Sequence, residues 1–147
     1  MGRGGKALAL AALALLAAGC GSGKGTITGE VTYKGKPIAW GRITFVCQEG
    51  KQSTHSAHII KGQYKIENCP IGPVKISVES FVAYAPPPDN PMVQRSREAG
   101  YVEPPADVVG KDKYVDIPKD YGNSDLSGLE YTVTRGDNTH NIDLKPK

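Results

Sequence analysis

A period of two in the apolar residues is the feature that most limits what this chain can fold into. Ile27, Val31 and Tyr33 share one face of an extended segment, while Thr28, Glu30 and Thr32 point the other way. That alternation marks a strand with one buried and one solvated face. It recurs over Arg42–Gln48, where Ile43, Phe45 and Cys47 share a face, and more weakly over Ser53–Ile60. Tyr64 and Ile66 resume it after a turn at Gly62, followed by Val74, Ile76 and Val78, by Leu129, Tyr131 and Val133, and by Ile142 and Leu144. Lys34-Gly35-Lys36-Pro37, Cys69-Pro70-Ile71-Gly72-Pro73 and Arg135-Gly136-Asp137-Asn138 supply the turns between them, with Gly for positive φ and Pro to stop pairing at its own nitrogen. Seven short strands and no amphipathic helix predict an all-β fold, a seven-stranded antiparallel β-sandwich of Greek-key type. Its core is expected to hold Ile43, Phe45, Tyr64, Ile66, Val74, Ile76, Tyr131, Val133, Ile142 and Leu144.

Residues 81–113 break the pattern. Pro86-Pro87-Pro88, Asn90-Pro91 and Pro104-Pro105 lie there among scattered charges. Proline favours extended conformations and supplies no ladder donor, so a long Pro-rich loop is expected to run over the surface and bury little. A short helical turn is predicted around Gln94–Ala99.

The N-terminus reads as an export leader. Arg3 and Lys6 precede twelve apolar residues, Ala7–Ala18. A spanning helix needs about 20, and a basic start followed by a short apolar run and small residues is the secretory pattern. Leu16-Ala17-Ala18-Gly19-Cys20 resembles the lipobox of bacterial lipoproteins. The resemblance implies cleavage after residue 19, a lipidated Cys20 and anchoring to a bacterial membrane on its envelope side. Ala17 stands where that family usually has Leu, and ordinary cleavage near Ala18 or Gly19 would leave a free thiol instead. Residues 20–25 then form a flexible tether, and 26–147 the sandwich domain with its insert at about 81–113.

The whole chain carries a net charge of +3 over 147 residues, and the part after residue 19 carries +1. No basic cluster concentrates that charge, which argues against a nucleic-acid partner. Gly21-Ser22-Gly23-Lys24-Gly25-Thr26 mimics the end of a phosphate-binding loop. The loop's first Gly is replaced by Ala18, no strand precedes it and a strand-like segment follows, so no nucleotide is expected.

GTITGEVTYKGKPIAWGRITFV followed by GQYKIENCPIGPVKISVE resembles the carboxypeptidase regulatory-like, transthyretin-like β-sandwich domain. The ending KYVDIPKDYGNSDLSGLEYTVTRGDNTHNIDLK is similar to that of small lipoproteins abundant in planctomycete bacteria. The likeness runs over most of Gly25–Lys145 and is loosest in the insert. Trp40, in a turn where the family usually has a small residue, and Cys47 and Cys69 depart from it. Such domains accompany carboxypeptidases without carrying a peptidase centre, so the resemblance implies a non-catalytic envelope module with a structural or binding role. An accessory or glycan-binding module of an envelope peptidase or hydrolase system is the alternative.

The residues offer little catalytic chemistry. His55 and His58 lie three apart on a predicted strand, which sends them to opposite faces, and His140 shares a face with Ile142. No metal site, cofactor or G-x-S-x-G nucleophile elbow is predicted. Asp120, Asn123, Asp125 and Glu130 are oxygen-rich, but their spacing is not that of a calcium loop, and Asp and Asn are also what turns prefer. Arg135-Gly136-Asp137 is expected at a hairpin tip, where such residues are common. Trp40 and Tyr33, with Tyr84 or Tyr101, could form a stacking platform for a glycan or could cap the core edge. A disulfide between Cys47 and Cys69 is also open. Export oxidises thiols, lipidation of Cys20 leaves an even two, and both lie at strand ends. The other reading makes them small buried hydrophobes that never meet.

Overall fold

A computed structural model describes residues 23–87 and 89–147; the leader expected at residues 1–19 and Cys20 lie outside the described residues. Strands β1 (Lys24–Tyr33), β2 (Lys36–Pro37), β3 (Trp40–Cys47), β4 (Thr54–Ile60), β5 (Gln63–Pro70) and β6 (Gly72–Ser80) come first. Helix α1 (Pro91–Glu98), three short 3₁₀ turns, and strands β7 (Leu129–Val133), β8 (Gly136–Thr139) and β9 (Ile142–Leu144) follow. They form one curled, mostly antiparallel sheet in the order β2-β1-β5-β4-β3-β6-β7. The all-β expectation holds. Lys24 and Gly25, assigned to the tether from sequence, already belong to β1 and pair with Pro70 and Cys69.

The curl has a visible origin. β3 pairs along its length with β4 and with β6, and β1 pairs with β5 from Lys24↔Pro70 to Glu30↔Gln63. β4 and β5 join through the Lys61-Gly62 turn and share a single register pair, Ile60↔Gln63. Beyond that pair the strands part, and the sheet bends around its apolar face. Phe45 on β3 and Tyr64 on β5 meet across the interior with ring centroids 6.0 Å apart. Ile27, Val31, Ile43, Ile59, Ile66, Val74, Ile76, Val78, Val133, Ile142 and Leu144 fill the space around them. Each sits at the alternate positions that the sequence period selects. Tyr131 is the exception among the predicted core residues: it is half-buried and packs against the cluster's edge.

The C-terminal third departs from the antiparallel expectation. Gly136–Thr139 is a strand, not a turn, and pairs parallel with β1 from Gly25↔Gly136 to Thr28↔Thr139. β9 is also parallel to β1, from Val31↔Ile142 to Tyr33↔Leu144. β7 pairs with β6 instead, so the chain passes from the β7 edge of the sheet to β1 at Thr134-Arg135 and no hairpin forms there. The buried side chain of Asn138 makes this crossing possible. Its Oδ1 accepts from Thr134 N and Thr134 Oγ1, both at 2.9 Å, and its Nδ2 donates to Thr134 O at 2.8 Å and Gly136 O at 3.0 Å. One amide thus satisfies the backbone groups that leave the ladder. Between β8 and β9 the chain passes directly over Gly29, where a Cβ would stand 1.9 Å from the His140 carbonyl oxygen. Only glycine fits there. Tyr64 OH donates to that same carbonyl at 2.7 Å and fixes the crossing.

Candidate functional site

The insert is more than surface loop. It leaves β6 after Ser80, and Ala83 forms an isolated parallel bridge with Val109. Gly110 N donates to Ala83 O at 3.1 Å, which closes the insert into a loop with a paired base. Ala83 and Val108 are buried against Trp40, with Ala39, Ile60 and Val109 packed around them. The expectation that this segment buries little is therefore corrected: period two places Trp40 on the outer face of β3, and an outward indole needs apolar cover. Lys61, in the β4–β5 turn, makes an ion pair with Asp107 beside this cluster.

The same packing corrects the proposed platform. Trp40 is 8% exposed, and its ring stacks on His58 at 5.1 Å between centroids. Tyr33 packs on the other cluster, inside the sheet, with the Lys34 ammonium 5.2 Å from its ring. The two aromatics form no common surface.

The insert's tip is another matter. Helix α1 runs over Pro91–Glu98, longer and earlier than the turn predicted at Gln94–Ala99. Asn90 sets its start, accepting from Met92 N at 2.9 Å, with Pro91 in the first turn, a donor-poor position where proline is tolerated. Arg95 and Arg97 fall in its last turn, where they complement the helix dipole. Arg97 also pairs with Glu103 at 2.7 Å, tying the helix to the returning chain. The helix buries none of its residues. Tyr84, Met92, Tyr101 and Val102 are exposed, Met92 at 70%, and Pro86, Met92, Val93 and Tyr101 line a small cleft of about 160 Å³.

A wider groove of about 950 Å³ opens where β4 and β5 part, floored by Thr28, Glu30 and Lys65, walled by His58 and Lys61, and overhung by Pro105 of the insert. Its cations are already engaged, Lys61 with Asp107 and Lys65 with Glu67 at 2.5 Å. Burial, and then the nearby Arg42 guanidinium, lower the pKa of His58.

The other residues singled out from sequence are scattered. His55 stands opposite Phe45 and His58 opposite Arg42, on opposite faces of β4. His140 stacks on Tyr131 at 4.2 Å, and burial lowers its pKa. Among the described residues, no three or more of His, Cys, Asp and Glu gather as metal ligands would. Asn123 Oδ1 accepts from Asp125 N at 2.8 Å, a local turn bond, and Asp125 pairs with Lys75 at 2.7 Å. Lys24–Thr26 of the phosphate-loop mimic are strand, with no helix after them.

Cys47 and Cys69 are brought together. Cys47 ends β3 opposite Val74, and Cys69 lies near the end of β5 opposite Gly25. Both are buried, unbonded thiols. Burial, and then the neighbouring Cys47 thiol, push the Cys69 pKa up to about 12. Of the aromatics that the sequence offers for a platform, Tyr84 and Tyr101 are exposed on the insert with Met92 and Val102, apart from Trp40 and Tyr33. No helix among the described residues is long and apolar enough to cross a membrane. Compared with protein-family models, curated proteins and solved structures, the chain matches none.

Proposed function

We propose that this chain is a lipid-anchored, non-catalytic domain of the bacterial cell envelope that presents its insert to a partner. The observation that carries the reading is the juxtaposition at the N-terminus: Leu16-Ala17-Ala18-Gly19-Cys20 stands three residues before Gly23, next to which β1 begins. A lipidated Cys20 would hold the domain close to a membrane, and the two or three acyl chains of a processed lipoprotein make such anchoring stable. The finer architecture we read as a two-layer Greek-key sandwich of the transthyretin-like, carboxypeptidase regulatory-like kind. The parting of β4 from β5 and the facing of Phe45 and Tyr64 support that reading.

The binding role rests on the insert. Exposed apolar side chains grouped on one projection mark interaction surfaces more often than chance; Met92 and Tyr101 form such a group with Pro86 and Val93, and the insert also exposes Tyr84. A protein of the envelope is the partner this surface fits best. A glycan is the second reading, favoured by the two exposed tyrosines, and would make the chain an accessory module of a peptidase or hydrolase system. Cell fractionation tests the anchor: Cys20→Ser moves the folded domain from the membrane pellet to the soluble fraction. Retention of that variant in the pellet after a high-salt wash would sink the anchor. Envelope pull-downs with the parent chain and with a Tyr84→Ser/Met92→Ser/Tyr101→Ser variant test the insert. Equal recovery of partners by both would sink the binding role.

A further inference from the structure

The sheet has two ends, and the chain's entry point picks one of them out. At the Lys24 end of β1 lie the β5–β6 junction and the β7–β8 crossing, paired through Lys24↔Pro70 and Gly25↔Gly136. Ile71 N donates to Gly23 O at 3.2 Å, and Gln48 N to Pro73 O at 3.0 Å, which brings the loop after β3 to the same end. Ile71 is exposed there, at 42%. Lys24, Lys51 and Arg135 are exposed around it, against Glu49 and Asp137.

The insert docks at the other end. Its base packs on Trp40, which pairs with Ile60; Ile60 pairs with Gln63, and Gln63 with Glu30. Trp40 is therefore level with Glu30, six residues along β1 from Lys24, or about 20 Å at the strand rise.

We infer that the Ile71–Arg135 end of the sheet faces the phospholipid headgroup layer, and that the insert is carried on the side turned away from it. The inference rests on the lipid at Cys20 proposed above. Cys20 to Gly23 is three peptide steps, which reach no further than about 11 Å even when fully extended. A reach that short holds the Lys24 end within a side chain or two of the headgroups. The other end would need a tether longer by the length of β1. Ile71 would enter the headgroup layer, and Lys24, Lys51 and Arg135 would meet its phosphates. The partner of the insert then approaches from the space beyond the membrane.

Tryptophan quenching tests this on the full, lipidated protein. The protein is reconstituted in phosphatidylethanolamine–phosphatidylglycerol vesicles that carry a nitroxide on the headgroup. Ile71→Trp and Tyr84→Trp each add one exposed indole at opposite ends, with Trp40 kept in both. The indole at position 71 should be quenched several-fold more strongly than that at 84, and Trp40 alone should be almost unaffected. Equal quenching at 71 and 84, or stronger quenching at 84, on protein whose mass includes the acyl chains overturns the orientation alone. A mature protein whose mass includes no acyl chain overturns the anchor and the orientation together.

Discussion

Seventeen buried residues make up the cluster inside the curled sheet, whereas the cluster that holds the insert has three, Trp40, Ala83 and Val108. Both are held by apolar burial, at roughly 25 cal/mol for each Å² removed from water. The sheet adds ladder hydrogen bonds along every strand. The insert adds one bridge, the Phe81 N–Trp40 O and Gly110 N–Ala83 O bonds, and exposed ion pairs such as Lys61–Asp107, of which the ion pairs contribute little. The contrast assigns the two regions different tasks. The sheet can be rigid and self-sufficient, while the insert can open or adapt at small cost, as the proposed recognition role requires.

The largest expected effect lies in the sheet. Phe45 is fully buried against Tyr64. Phe45→Ala should cost about 3–5 kcal/mol, a large share of a small domain's stability. Replacing residues 90–101, which hold the unburied helix α1, by a short Gly/Ser linker should cost far less. Thermal melts of both variants measure the difference. Equal losses would mean that the tip of the insert supports the sheet, which its exposure argues against.

Next in size is the bond between Cys47 and Cys69, which remains a proposal for the exported protein. The thiols are adjacent and buried, so an oxidising compartment can join them during folding, before burial shuts out the oxidant. Closing a loop of that length contributes about 3 kcal/mol in the chain-entropy picture. Protein taken from the envelope, denatured and alkylated without reduction, should take up no label at these positions. Two labelled thiols per chain would leave the packing of the sheet to do the work alone.

Trp40 marks the joint between the regions, and its variant should separate them. Trp40→Ala should cost about 2 kcal/mol globally, less than Phe45→Ala, because it opens a three-residue cluster at the margin. Its larger consequence is local: Ala83 and Val108 lose their cover, and limited proteolysis should cut within residues 81–113 much faster than in the parent. An unchanged cleavage rate would show that the insert is held by something other than this cluster.

What the sequence revealed divides along the same line. Ile43 and Phe45, Tyr64 and Ile66, and Val74, Ile76 and Val78 are buried as their alternation requires, because a strand's inward face is decided by neighbours two residues away. The parallel pairing of β8 with β1 joins residues more than a hundred positions apart and depends on the Asn138 amide and on the missing Cβ at Gly29. No local pattern announces either. Trp40 shows the same limit at the site. An aromatic in a turn suggests a platform until a distant segment is seen to cover it, and the covering residues, Ala83 and Val108, lie in a stretch whose prolines argued for exposure.

The smallest expected effect is on pH dependence, and it sharpens the comparison because each region has its own histidine. His58 lies under Trp40 at the base of the insert, and His140 stacks on Tyr131 at the crossing between β8 and β9. Both are held below the ordinary 6.5, His58 by burial and then by Arg42, His140 by burial. The folded state therefore binds protons less readily than the unfolded chain. Their contribution is fully present above about pH 6.5 and is lost as the pH falls from there towards the lowered folded values. The carboxylates of Asp107 and Asp143 run the same way lower down. Ion-pair hydrogen bonds with Lys61 and Lys145 hold them below 3.8, and their contribution is lost as the pH falls from about 3.8. Between pH 7 and 5 the histidines should dominate, as a shallow fall in melting temperature and a modest rise in cleavage of the insert. His140→Gln should flatten the first and leave the second, and His58→Gln should do the reverse. If either variant flattened both, the insert and the sheet would be one cooperative unit, and the separation drawn from their unequal cores would fail.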